Sequence, residues 1–190
     1  YQVTAVDHSM DMLEIAASEE EDHILYVLQD MVSLELPQQV DAAVSICDCM
    51  NYILEEDDLK EAFRRVKRFL KEDGVFIFDM NSHYKYKEIL ACNTFAEDRE
   101  DASFIWDNFY YEEERINEYD LTLFIQEDGS EDLYRRYQET HYQRGYTLEE
   151  MKELVERSGL VFEAAYDAVT HEEPTEKSER IYIVARESGK

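Results

Sequence analysis

Acidic and polar side chains stand where successive short apolar runs end: Asp7 after Val3-Thr4-Ala5-Val6, Asp30 after Ile24 to Leu28, and Asp48 with Asn51 after Asp41 to Cys47. In open α/β sheets, ligands bind outside the carboxyl ends of the strands, and an acid placed there can accept hydrogen bonds from both hydroxyls of a ribose. Asp7 is the first candidate for that role. Parallel strands bring such ends to one edge, so residues far apart in sequence can meet a single ligand. Taken singly, each acid is equally a turn former or a helix cap.

The elements that would position these groups alternate over the first 91 residues. Gln2 to Val6 reads as a strand, and Ser9 to Ala17 as a helix capped by Ser9 with Asp11 in its first turn. Ile24 to Leu28 and Asp41 to Cys47 are short enough for buried parallel strands. From Asp57 to Lys71, Leu59, Ala62, Phe63, Val66 and Leu70 recur at helical spacing, with Gly74 expected as a left-handed terminator before the strand Val75 to Phe78. Strand, helix and strand in that order require a right-handed parallel crossover.

Between Cys92 and Tyr146 the pattern changes to period two. Tyr119, Leu121, Leu123 and Ile125 share one face of a strand, and Glu127-Asp128-Gly129-Ser130 is a turn leading to Asp132 to Tyr142. Thr147-Leu148-Glu149-Glu150 is a capping box opening a helix that Gly159 ends, and Leu160 to Tyr166 with Arg180 to Ala185 form a closing antiparallel strand pair. The expected division is a core of residues 1–91 and 147–190 and an antiparallel β insertion over 92–146. The acidic run Glu19 to Asp22 reads as a solvated helix end.

A length of 190 residues suits one compact body, and a formal charge of -27, from 46 acidic against 19 basic residues, repels phosphate backbones and anionic membrane surfaces. Cys47, Cys49 and Cys92 form no paired framework, which points to reduced thiols and a cytoplasmic setting. No second ligand pair completes a tetrahedral metal site around Cys47-x-Cys49, so no metal is expected. No apolar run approaches the roughly 20 residues of a membrane span.

On these motifs the sequence resembles the class I S-adenosylmethionine-dependent methyltransferases, small bacterial members with unassigned substrate. Val6 to Leu13 is similar to the segment after the family's glycine motif, Gln29-Asp30-Met31 to its adenine-side motif, Asp41 to Tyr52 to its fourth-strand motif, and Leu70 to Asp79 to the entry into its fifth strand. The resemblance implies a Rossmann-like α/β fold, a mostly parallel sheet with an antiparallel insertion and a closing antiparallel pair. The family's first strand, central between the strands beginning at Gln2 and Asp41, and its glycine-rich loop are missing from these residues.

The resemblance further implies S-adenosylmethionine as cofactor. Asp7 would bind the ribose hydroxyls and Asp30 the adenine amino group, with Met31 on the ring and His8 and Met10 bordering the nucleoside. Cys47, Asp48 and Asn51 would lie beside the sulfonium and the acceptor, where a carboxylate is electrostatically favourable. A helix cap is the competing reading of Asn51, and core packing that of Met10 and Met31.

Inserted segments at this place in the family cover the active site and choose the acceptor. The aromatic residues of 92–146, Trp106, Phe104 and Tyr110 among them, would wall a pocket excluding water and favouring a cation, or are simply cross-strand core pairs. His141 is a candidate base, Arg144 a carboxylate clamp, and Tyr84 and Tyr146 further acceptor-side groups. The reading is methyl transfer to a small-molecule acceptor, less readily a protein. The alternatives are a catalytically silent fragment acting as an interaction module and a nicotinamide-dependent oxidoreductase.

Overall fold

A computed structural model describes residues 1–18, 23–127, 129–130 and 132–189. The acidic run at 19–22 and part of the turn at 127–130 lie outside them. Two parallel pairs carry the first half of the chain. β1 (Val3–Asp7) pairs with β2 (Ile24–Leu28), and β3 (Val40–Ser45) with β4 (Leu70–Asn81). Helix α1 (Met10–Ser18) begins where expected, with Ser9 Oγ accepting from the Met12 amide.

Helix α2 (Glu56–Phe69) connects β3 to β4. Its acids Glu56, Asp57 and Asp58 occupy the first turn and Lys67 and Arg68 the last, as the helix dipole favours. Its apolar face buries Leu59, Ala62 and Phe63 against Phe76 and Phe78 of β4, the three rings lying 4.8 to 6.0 Å apart. Gly74 does not end α2. The helix gives way directly to β4, whose register against β3 shifts between Val40 and Ala42, and the left-handed residue is Asp73. Gly74 is required because a Cβ there would come within 2.8 Å of the Lys71 carbonyl oxygen.

The closing antiparallel pair is β9 (Val161–Asp167) and β10 (Arg180–Arg186), and β10 lies between β4 and β9 to give the order β3-β4-β10-β9. Helix α3 (Leu148–Arg157) opens on the capping box read from the sequence, Thr147 and Glu150 bonding reciprocally, and adds Met151, Leu154 and Val155 to the core. A separate antiparallel sheet holds β5 (Thr94–Asp98), β6 (Ala102–Tyr111), β7 (Ile116–Gln126) and β8 (Tyr134–Arg144) in sequence order. A π-helical turn, Lys85–Leu90, leads into it, a feature with no sequence signal.

The chain is thus an α/β fold of the expected class, with the parallel strands divided between two sheets. Among the described residues no ladder joins β1 to β3, and the resemblance places one further strand between them. Side chains link the two sheets. Met31 and Val32, just past β2, pack on the core, and Glu35 takes Arg65 at 2.6 Å and Arg68 at 2.9 Å from α2. No helix among the described residues is long and apolar enough to cross a membrane.

One buried position just past β10 breaks the apolar alternation of that strand. Glu187 follows Ile181, Ile183 and Ala185 on the same alternation, is fully buried, and its carboxyl oxygens have no hydrogen-bond partner among the described residues. A buried polar group without partners is destabilising by about 1–3 kcal/mol. Glu187→Met should therefore raise the free energy of unfolding by about that amount, measured as a higher urea midpoint at unchanged slope.

Candidate active site

The loop after β3 turns on two consecutive left-handed residues, Cys47 at φ 66° and Asp48 at φ 53°. Each costs roughly 1–2 kcal/mol for a residue with a Cβ, so the surroundings must hold them. Asp79, at the carboxyl end of β4 and only 1 % exposed, accepts the Asp48 amide at 2.7 Å. Arg180, opening β10, donates to Asp79 Oδ2 at 2.8 Å and to Asp48 Oδ1 at 2.6 Å. The other Asp48 oxygen accepts from Gln143 Nε2 of β8 at 2.6 Å. Burial works against the Arg180 charge, but Asp48 and Asp79 outweigh it and hold the guanidinium pKa above its ordinary value.

Asn51 is wholly buried, and its amide clamps backbone. Nδ2 donates to the carbonyls of Asn81 at 3.0 Å and Arg144 at 2.8 Å, while Oδ1 accepts from the Asn81 amide at 2.9 Å. Both amide protons and the carbonyl oxygen are thus engaged with backbone, a structural part distinct from the catalytic one expected of Asn51. Tyr146 is also buried, its hydroxyl donating to the Ile53 carbonyl at 2.7 Å. Arg144 lies 5.3 Å over the Tyr146 ring, donates to Leu54 and pairs with Glu56 at 3.0 Å, so its carboxylate is an internal one. Tyr84 stands at the head of the π-helical turn. The acceptor-side set is therefore not brought together as expected, because Arg144 and Tyr146 pack against the segment before α2.

His141 comes instead to a group that the sequence did not single out. Its Nδ1 lies 3.2 Å from the Tyr52 hydroxyl, which is 2.7 Å from the Tyr119 hydroxyl, and its Nε2 lies 3.2 Å from Glu139. An ionised Glu139 can only accept, so Nε2 carries the proton and Nδ1 accepts from Tyr52, which accepts from Tyr119. Burial raises the pKa of both tyrosines, so both hydroxyls stay protonated. The bonds thus run in one direction, towards the imidazole.

Asp7 and Asp30 occupy the other part of the site, at one edge of the β1-β2 sheet. The Gln29 amide bonds the Asp7 carbonyl at 2.9 Å, which brings the two strand ends together. Asp7 Oδ1 accepts the Ser9 amide and Asp30 Oδ1 the Val32 amide, each at 2.8 Å. Each acid caps a turn with one oxygen, and its second has no hydrogen-bond partner among the described residues. Two half-engaged carboxylates on one sheet edge fit a ligand bearing hydroxyl and amino donors. His8 and Met10 are exposed beside Asp7, Cys47 is exposed on its loop, and Met31 packs on the core.

Asp79 obeys the same strand-end rule that singled out Asp7, and it could have been found that way. Arg180, Gln143, Tyr52 and Tyr119 carry no such signal. Their partners are 89 to 132 positions distant for Gln143 with Asp48, Tyr52 with His141 and Arg180 with Asp48.

Residues 1–74 match the family model described as a methyltransferase domain. The chain is 34 % identical over 191 residues to "Putative methyltransferase YqeM" of Bacillus subtilis (strain 168), covering 99 % of this chain and 76 % of that protein. It superposes with a TM-score of 0.91 on a crystal structure of an S-adenosylmethionine-dependent methyltransferase from Clostridium acetobutylicum ATCC 824, at 28 % identity, covering 100 % of this chain and 76 % of the other. The amino pentose methyltransferase CalS10 of Micromonospora echinaspora, with S-adenosylmethionine bound, shares the fold at a TM-score of 0.75 and 12 % identity, with 98 % of this chain and 74 % of that one covered.

Two outcomes follow from the geometry. Arg180→Met leaves buried Asp79 without its cation and should lower stability by about 3–5 kcal/mol, read by urea unfolding; Arg180→Lys should recover part of the loss. The second concerns His83, whose Nδ1 lies 2.8 Å from the Tyr110 hydroxyl of β6. Burial, then nearby Lys87, lowers its pKa from 6.5. The unfolded chain therefore takes up this proton first, so this contribution to stability is complete above pH 6.5 and falls as pH drops from 6.5 to the lowered value. Melting temperatures recorded across that interval should decline less steeply in His83→Asn.

Proposed function

The chain belongs to the class I S-adenosylmethionine-dependent methyltransferase family, and we propose that it methylates a nitrogen or oxygen of a small molecule held between the β3 loop and the β5–β8 sheet. When bound, S-adenosylmethionine supplies an activated methyl group on a sulfonium, which leaves the protein the tasks of alignment, exclusion of water and disposal of one proton. Asp7 accepts the ribose hydroxyls with the oxygen that Ser9 does not use. Asp30 accepts the adenine amino group in the same way, Met31 backs the ring, and His8 and Met10 border the nucleoside.

Cys47 and Asp48 lie on the sulfonium side. Because Asp48 is held by Arg180 and Gln143, its part is to fix the loop that presents Cys47 and Tyr52. The directional chain from Tyr119 through Tyr52 to His141 is the observation that carries the reading. It gives a nucleophile's surplus proton a path to a neutral imidazole nitrogen, with Glu139 steadying the cation that results. The strand sheet bearing Tyr119, Glu139 and His141 serves as the wall that covers the acceptor.

A small acceptor suits the charge of -27, which opposes nucleic acid. The amino pentose on which CalS10 acts supports a nitrogen nucleophile as readily as an oxygen. Calorimetric titration with S-adenosylmethionine and S-adenosylhomocysteine tests the cofactor half of the proposal. Asp7→Ala should weaken both about tenfold or more, equivalent to roughly 1.4 kcal/mol; unchanged affinity in that variant would overturn the assignment.

A further inference from the structure

Five rings form an unbroken file from the outer strand of the β5–β8 sheet to the β3 loop. Phe95 of β5 and Trp106 of β6 have centroids 5.6 Å apart, and Trp106 and Tyr119 of β7 lie 5.4 Å apart. Tyr119 stacks on His141 of β8 at 4.7 Å, and His141 meets Tyr52 edge-on at 5.8 Å. Strand register puts these side chains on the face that also bears Gln143, the residue bonded to Asp48. The file therefore begins at the candidate site and runs outward from it.

Its burial changes along the way. At the inner end Asn108, Asn117 and Gln143 are buried and polar, whereas Phe95 at the outer end is 36 % exposed. Trp106, Tyr119 and Leu121 between them are half-buried. At the inner end carboxylates outnumber the cation among the described residues: Arg180 binds both Asp48 and Asp79, and Glu139 adds a third acid. Glu139, 60 % exposed and directly opposite Leu121, reaches His141, and the negative fields of Glu139 and Asp48 both fall on the hydroxyls of Tyr52 and Tyr119. The nearest arginine on this face of β8, Arg135, is bound to Glu127.

Resting on the methyl-transfer reading above, we infer that the acceptor is an arylalkylamine, bound as its ammonium form, whose ring lies on Trp106 and Leu121 and whose nitrogen stands at Tyr52 and Glu139. The ammonium first gives one proton through the Tyr52 hydroxyl to His141 Nδ1, and the freed lone pair then takes the methyl as the bond to sulfur breaks and its electron pair returns to sulfur. An arene gains offset or edge contact with the file, and a cationic nitrogen gains from both the ring faces and the carboxylate. A carboxylate at that place would meet the negative charge of Glu139, while the nearby cations Arg135 and Arg180 are already bound to Glu127 and to Asp48 with Asp79. The complementarity thus selects for charge as well as for shape.

Trp106 is the single tryptophan of the chain, so its emission reports from the middle of the file alone. The test titrates 2-phenylethylamine, 3-phenylpropionate and 2-cyclohexylethylamine into the full chain, with and without S-adenosylhomocysteine, and follows that emission. The amine should give a saturable change, with the acid and the saturated amine each at least about tenfold weaker, and Glu139→Gln should remove the advantage over the acid. Equal responses to amine and acid, or no response to the amine, would overturn the inference. So would emission that depends on protein concentration alone together with a dimer by light scattering, which would mean that a second copy covers the face. Calorimetric binding of S-adenosylhomocysteine in the same samples separates the two readings: its retention beside a failed amine titration removes only the substrate class.

Discussion

Arg180 is the tie on which the arrangement of the site depends. One guanidinium spans Asp79, which is buried at the end of β4, and Asp48, which sits on the strained loop after β3. Two carboxylates that close would repel each other without a cation between them, and a left-handed turn of two residues with Cβ atoms would relax. Because Asp48 also receives Gln143, the same charge cluster sets the distance between the core and the β5–β8 sheet. Its three elements come from separate thirds of the sequence, so the site cannot form before the tertiary fold does.

A second set of bonds makes the same junction with amides. Asn51 spans the backbone of Asn81 and Arg144, and the buried Tyr86 hydroxyl joins Gln143 at 3.1 Å and receives Asn81 at 3.4 Å. Apolar packing would have joined the sheet to the core with less directional demand. Satisfied amides in a low-dielectric interior instead admit one orientation. This explains why residues expected to face an acceptor, Asn51 and Tyr146, are found inside the joint.

The elements were legible where local chemistry fixes them. Period 3.6 in α2, the Thr147–Glu150 capping box and the alternation of β7 each rest on neighbours within a few residues, and the structure has all three. Gly74 misled because helix termination and close backbone approach both require glycine, and the sequence alone does not separate them. The strand-end rule found Asp7, Asp30 and Asp48 but could not tell a carboxylate open to a ligand from one already bonded by Arg180. His141 was visible as a residue type, whereas Tyr52 and Tyr119, which give it direction, are set by the register of β7 and β8 against a loop about ninety positions earlier.

Among the described residues the outer strand β8 pairs with β7 alone, and ten of its eleven residues retain contact with solvent. Its unpaired backbone groups are an invitation to any extended peptide that drifts by. Arg135, Arg136 and Glu139 set formal charges along that border, and a chain as acidic as this one repels its own copies. Colloidal behaviour is thereby linked to ionic strength: salt that shortens the reach of these charges removes the guard on a ribbon eleven residues long.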